Sequence, residues 1–591
     1  MWNVVKHGGV ALLLANASAA WSVSPADPAK VLHVAFEAAD DGFDMVRTAN
    51  YYSGFVAETI YETLLSYDYL ARPAKLVPKS AEALPEVGDG GKSYTFHIKQ
   101  GIYFTDDPAF NGKRRELTAQ DYAYSFKRLL DPQNRSPSAG FLEGKIVGMA
   151  ELVAAAKKSG HFDYAAPVAG LQTPDRYTLQ VTLSAPDYNF PYVVAYGALA
   201  AQAREVIDAY GLQSGQHPVG TGAYRLEQYV PRSKVVLTAN PDYRGSTWDF
   251  KASADPADQQ IVRDMQGKKM PQIGRVEINI IEEEQSRWLA FQDKQIDVDW
   301  IPQVAGRTAL DGDKLKPELA AQQIRLQRFT EPALSYTIFN MNDPIVGGYT
   351  NEKIALRRAI ALSYNVQDEV NIIRQGQATK AQMMIPPGVV GYDPAYRSSI
   401  AYDPMLANQL LDHFGYKRGV DGYRAMPDGK PLTLVITRET AVIYQEMAEL
   451  WKRGLDQIGI RAEQPTGNFA DHLKEATDCR LMMWGGAWSA DFPDGENFLQ
   501  LLYGPNSRQG NHGCYQSAAF DALYKQANGL PPGPERTKLY AQMNRQMEAD
   551  TAWMLSVSRI RNWVSRPWVH GFKKHPVLHA GWEYMDVDKQ H

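Results

Sequence analysis

The chain reads as a mixed α/β protein of several domains threaded into one another. Three observations carry that reading. Its 591 residues are enough for several domains at about 100–200 residues each. Apolar patterning switches between period two and period 3.6 from one end to the other. No repeat, low-complexity run or long linker separates the segments, so hinges would be strand crossings rather than flexible tethers. Composition is that of a globular protein, 44% hydrophobic and 22% charged. The net charge of −5 comes from well-mixed acidic and basic residues, which excludes the basic footprint of a dedicated nucleic-acid binder. Thirty-two Tyr and 12 Trp supply large aromatic cores and amphipathic recognition surface.

The elements follow in order. Val31 to Phe36 reads as a strand, and an amphipathic helix follows from about Tyr52 to Tyr67. Tyr94 to Ile98 alternates as a half-buried strand. Thr118 opens a helix with Asp121 three residues on, a capping box, and Asp131-Pro132 stops it. Tyr177 to Leu183 is another alternating strand. The turn cluster Pro218 to Gly222 leads into strands Ala223 to Val230 and Val235 to Ala239, joined by a turn at Pro231-Arg232-Ser233. Val276 to Ile280, Glu284 to Asp293 and Ile296 to Trp300 give a strand, a helix and a strand, the order of a parallel-sheet unit.

The second half keeps the alternation. Leu334 to Asn340 is strand-like, and a long helix spans Glu352 to Tyr364. Asp403-Pro404 is an N-cap with Pro at the first helical position, and that helix ends near Gly415. Pro427-Asp428-Gly429 turns the chain into strand Leu432 to Thr437. Helix Val442 to Ile458 ends at Gly459, a C′ glycine. Leu481 to Trp484 reads as a buried strand ending in glycines, and a last strand, Trp553 to Ser558, precedes an irregular tail.

The N-terminus has the pattern of a secretory signal, residues 1–19. Lys6 and His7 form a minimal basic region, Val10 to Ala15 an apolar core, and Ala17-Ser18-Ala19 a cleavage site. The apolar run is too short to span a bilayer, no later run is long enough, and no cysteine stands near it for a lipid anchor. The mature chain is therefore expected to be exported, with no direct membrane insertion. In an exported protein Cys479 and Cys514 either form one disulfide or remain two buried thiols.

Catalytic and metal constellations are missing from the pattern. Gly88 to Ser93 is no phosphate loop, because Glu86 stands where the first glycine belongs and the segment precedes a strand. There is no G-x-S-x-G elbow and no H-E-x-x-H helix. His512, Cys514 and Cys479 fit no zinc spacing. Asp297 and Asp299 share a strand face and read as a polar face rather than an acid/base pair. The chain is expected to be no enzyme and to carry no cofactor or metal.

Gly485-Gly486-Ala487-Trp488-Ser489-Ala490-Asp491 stands out instead. Glycines allow close backbone approach, and an indole and a carboxylate three residues apart suit a pocket for a cation with organic bulk attached. The plainer reading is a core Trp and an Asp preceding the helix that starts near Asp494.

Several segments together resemble the family-5 periplasmic solute-binding proteins of ABC importers. Tyr61-Glu62-Thr63-Leu64 with Leu76-Val77-Pro78 is similar to the family's opening, and Phe96-His97-Ile98 with Gly101 to Phe104 to the stretch that follows. Leu117 to Tyr122 through Phe126-Lys127-Arg128, Pro218 to Tyr224 with Asn240-Pro241-Asp242-Tyr243, Phe339 to Asn342 with Leu356 to Ile360, and Trp488 to Pro493 continue the match in family order. The resemblance implies a periplasmic-binding-protein type II-like fold, two lobes with hinge crossings plus an extra α/β domain. Domain I would be 20–66, 212–332 and 556–591, domain II 67–211, and domain III 333–555.

It further implies a location in the periplasm of a Gram-negative cell and a peptide held between the lobes and passed to membrane permease subunits, by a receptor expected to act as a monomer. Asp491 would pair with the ligand's α-ammonium, Trp488 would line its pocket, and Ala487 and Ser489 would extend it as an added strand. Ala487 stands where peptide-binding members often carry Gly. The loop Ala38, Ala39, Asp40, Asp41, Gly42 and Phe43 would supply the opposite strand edge. The alternative keeps the receptor and changes the solute to a nickel chelate, haem, an oligosaccharide or an opine-like amine.

Overall fold

The computed structural model describes residues 25–48 and 50–589, so the signal segment 1–19 lies outside the described residues. The first sheet has the strand order Arg325–Thr330, Val557–Ser565, Val298–Trp300, Asp27–Phe36, Ile273–Ile280, Lys234–Ala239, Tyr224–Val230, with Ala378–Lys380 added beside Val557–Ser565. Ile273–Ile280 and Val298–Trp300 flank Asp27–Phe36 and both run parallel to it. The helix Glu284–Gln292 joins them, giving the parallel unit expected from the sequence.

A second sheet runs Arg461–Glu463, Thr433–Glu439, Met483–Ser489, Ala333–Phe339, Trp553–Leu555, with Thr466–Gly467 beside Thr433–Glu439. A smaller four-stranded sheet is built from Glu86–Gly88, Ser93–His97, Thr178–Thr182 and Leu171–Gln172. One apolar core joins the first and the four-stranded sheets through residues such as Leu32, Phe36, Phe96 and Phe126. The second sheet has its own core around Leu334, Ile338, Trp451 and Met483. The chain passes from the first sheet to the second at Glu331-Pro332 and returns at Ser556.

Local chemistry explains the elements. Asp121 accepts from the Thr118 backbone N–H at 2.7 Å, completing the capping box. Asp403 caps Leu406 N at 2.9 Å. The Val442–Ile458 helix ends on Gly459 at φ 70°. Gly220 and Gly222 pass against the end of the first helix, where a Cβ would lie 2.0 Å from Ile60 O and 2.4 Å from Thr59 O.

Four expectations change. The first helix is Tyr51–Ile60, not 52–67. Tyr61 turns extended, buried Glu62 is held by Arg244 and Thr221, and Leu65–Tyr67 pairs with Leu76–Pro78 as a strand. The strand expected to end at the glycines runs through them, over Met483–Ser489, because Ala333–Phe339 pairs along its whole length. The last strand divides at Ser556 into Trp553–Leu555 and the longer Val557–Ser565, one in each large sheet. Asp297 and Asp299 are both buried with separate partners, Asp297 accepting from His33 N and Trp568 Nε1 while Asp299 faces Arg287. The two cysteines are joined, with Cα atoms 6.1 Å apart.

Candidate ligand-binding cleft

The Met483–Ser489 strand is paired on one side only for most of its length. Ala490 N donates to Pro332 O at 2.9 Å and Asn340 N to Met482 O at 3.0 Å. These two bonds set the phase of the antiparallel ladder. Even-numbered residues turn their backbone groups toward Ala333–Phe339, and Gly485, Ala487 and Ser489 turn theirs the other way. On that other side Thr433–Glu439 pairs only at Met483 and Trp484. The backbone groups of Gly485, Ala487 and Ser489 therefore form an open edge, and all three residues line a cavity of about 680 Å³.

Asp491 follows at the end of this edge. It lines a second cavity of about 340 Å³, and Glu331, Ser489 and Arg561 line both cavities, so the two adjoin. Asn497 organises the corner. Its Oδ1 accepts from Trp488 Nε1 and from Asp491 N, each at 3.0 Å, and its Nδ2 donates to Asp491 Oδ2 at 2.9 Å. Behind it, buried Asp494 accepts from Tyr540 OH at 2.6 Å and Arg536 at 2.9 Å, fixing the loop to the helix Pro534–Asp550.

The charges of the smaller cavity mostly answer one another: Glu331 with Arg561, Lys79 with Glu583, Glu62 with Arg244, Glu58 with His579. Asp491 has no basic partner among the described residues. Burial pushes its carboxyl up to about 6, and the Asn497 hydrogen bond only partly opposes this. At the other end of the open edge stands Arg438, next to the register level of Gly485. Its Nε is buried without a hydrogen-bond partner, its Nη1 reaches only the Glu439 carbonyl at 3.3 Å, and no carboxylate pairs with it among the described residues.

The residues singled out from sequence are thus partly brought together. Asp491, Trp488, Ser489 and Ala487 share one corner, although Trp488 turns into the seam between the four-stranded-sheet region and the second sheet beside Tyr196 and Phe492. Ala38 to Phe43 line neither cleft cavity. That loop is bound into its own region: Asp40 accepts from Tyr229 OH at 2.7 Å, Asp41 from Ser53 Oγ at 2.9 Å, and Phe43 N donates to Gly215 O at 2.7 Å. Phe43 is fully buried, and a Cβ on Gly42, at φ +96°, would press on Gly215 O. The first-sheet side of the cleft wall is instead lined by Glu37, Glu331, Arg559 and Arg561. Sequence reading missed Asn497, Arg438 and this wall. Asn497 carried a signal, since an Asn six residues beyond the carboxylate falls on the next helix, but Arg438 sits in an ordinary strand end.

A model of the bacterial extracellular solute-binding proteins, family 5, matches residues 75–510. The chain belongs to that family. It is 24% identical to the heme-binding protein A of Haemophilus influenzae, over 90% of this chain and 87% of that one. It is 26% identical to the di/tripeptide-binding protein 2 of Pseudomonas aeruginosa, over 98% of each. Its fold matches that of the DppA periplasmic binding protein of Helicobacter pylori, solved with the peptide STSA, at a TM-score of 0.71 and 22% identity, covering 95% of this chain and 98% of that one. The architecture is the type II periplasmic-binding fold with an additional α/β domain.

Proposed function

We propose that this protein is the periplasmic receptor of an ABC importer and that it captures peptides of two or three residues with free termini. One observation carries the reading: an unpaired carboxylate, Asp491, and an unpaired guanidinium, Arg438, stand at opposite ends of an open strand edge. The α-ammonium of a peptide answers the first and its carboxylate the second. The N-terminal turn of the Val442–Ile458 helix, with Ile443 and Tyr444 on the cavity wall, adds to the attraction for the carboxylate. Between them the ligand runs antiparallel to Met483–Ser489 and takes up the outward N–H and C=O groups of Ser489 and Ala487. Gly485 to Ser489 spans about 13 Å at about 3.3 Å per residue, the length of a short peptide and its terminal contacts.

The two lobes that close on the ligand are assigned as domain I (20–66, 212–332, 556–591) with its inserted domain II (67–211), and domain III (333–555). The closed monomer would be read by the permease subunits. The name of the heme-binding relative keeps one other solute class in view. Native mass spectrometry of the receptor purified from its own periplasm separates them. A bound mass equal to a di- or tripeptide is expected. A haem, sugar or metal-chelate mass, with no peptide species, would replace the reading.

A further inference from the structure

The larger cavity is bigger than a peptide backbone needs, and its wall is not uniform. Residues directly opposite in an antiparallel ladder share a face. Ser335, Thr337, Gly485, Ala487 and Ser489 therefore share one face of the second sheet, and all of them line the cavity. Ile436 and Met554 extend that face on the neighbouring strands. Over it lies the Val442–Ile458 helix with Ile443, Met447 and Trp451 at i, i+4 and i+8. An apolar stripe of that spacing normally closes on a sheet. Here it is held off, Trp451 resting against Tyr364 at 4.4 Å between rings, and the space between helix and sheet is part of the cavity.

The acidic groups on that wall are already engaged. Glu369 accepts from Ser556 Oγ at 2.5 Å, Arg374 at 2.8 Å and Tyr364 OH at 3.0 Å. Glu439 accepts from Trp484 Nε1 at 3.1 Å, and His472 lies 3.2 Å away. Neither offers a free charge to a ligand side chain.

We propose that this chamber, lined by Ile436, Met447, Ala448, Trp451, Tyr364 and Met554, selects a large apolar or aromatic side chain on the third residue of a tripeptide. The inference rests on the peptide reading above. A ligand residue opposite Ser489 points its side chain to the shared face, the next one points away, and the residue opposite Ala487 points back into the chamber beside Arg438. Position and class are thereby set together: the side chain adjoining the ligand carboxylate is the one the chamber reads, and burying a hydrocarbon there is favourable whereas a charge would be stranded.

Isothermal titration calorimetry of the intact receptor with Ala-Ala-Ala, Ala-Ala-Phe and Ala-Phe-Ala tests this. Ala-Ala-Phe is expected to bind about tenfold tighter than Ala-Ala-Ala, with Ala-Phe-Ala gaining nothing. Ala448→Phe fills the chamber and should erase the advantage of Ala-Ala-Phe over Ala-Ala-Ala. Should that variant fail to fold, Met447→Gln, at a half-buried position, should reduce the preference instead. Equal affinities, a preference for Ala-Phe-Ala, or an advantage untouched by both variants overturns the chamber assignment while the peptide reading stands. Absence of binding for all three tripeptides removes both.

Discussion

Asp491 is a carboxylate whose burial disfavours the charge its proposed role requires. Its ordinary value of 3.8 rises to about 6 in the free protein. Folded, it therefore binds its proton more tightly than unfolded, and the free receptor loses stability as pH climbs from about 4 to about 6. A ligand ammonium reverses that loss by stabilising the ionised form. Peptide affinity should fall about tenfold per pH unit below pH 6 and stay level from there to about 8, where the ligand amine itself deprotonates. Calorimetry from pH 5 to 8 checks the profile, and an affinity that rises on acidification would contradict it. Asp491→Asn should remove the pH dependence and weaken free-amine peptides at least about a hundredfold, about 2.7 kcal/mol, because a buried ammonium is left unanswered. N-acetylated peptides should bind poorly to the native protein and lose little more to the variant.

At the level of elements, the open edge divides the Met483–Ser489 strand into two kinds of position. Ala487 turns its N–H outward, and Gly486 turns its own toward Ala333–Phe339. Ala487→Pro deletes a donor that only a ligand uses, which an edge position tolerates. It should cost about tenfold in peptide affinity, about 1.4 kcal/mol, with the thermal midpoint little changed. Gly486→Pro deletes a ladder bond and should lower the thermal midpoint itself. A comparison of both variants by differential scanning calorimetry and titration separates the two roles, and equal stability losses would show that the phase is misassigned. The same contrast explains what could be read from sequence. Capped, periodic helices such as Val442–Ile458, and alternating strands such as Ser93–His97, follow from local spacing and appear where expected. The edge could not be read that way, because whether a glycine-rich run ends a strand or continues it depends on a partner, Ala333–Phe339, that lies about 150 residues away. The loop from Ala38 to Phe43 failed as a site for a related reason. Its expected role as a strand edge needs free backbone groups facing the cleft, and tertiary contacts fix it elsewhere: Tyr229 and Ser53 donate to Asp40 and Asp41, and Phe43 N donates to Gly215 O.

For the whole molecule, the two lobes meet at Glu331, which stands on one chain crossing and bonds the strand leaving the other. Its N–H donates to Arg559 O at 2.9 Å, and its carboxylate faces Arg561 at 2.5 Å and Arg559 at 2.9 Å. Burial alone would raise the Glu331 carboxyl, but Arg561 and Arg559 outweigh it and hold it below the ordinary glutamate value. A depressed folded value means that this contact stabilises the protein above the unfolded pKa, near 4.5, and that the contribution disappears as pH falls through the folded one. The arginines are about one-third exposed, so solvent screening reduces the gain to about 1 kcal/mol at neutral pH. Glu331→Gln keeps the shape and removes the charge. At pH 7 it should lower the thermal midpoint by a few degrees, about 2–4 °C per kcal/mol for a large domain, and at pH 3 the difference from the native protein should shrink. Scanning calorimetry at both values decides it: a loss of the same size at pH 3 would mean that the side chain acts at this junction through packing, and no loss at pH 7 would mean that the crossings are held together without it.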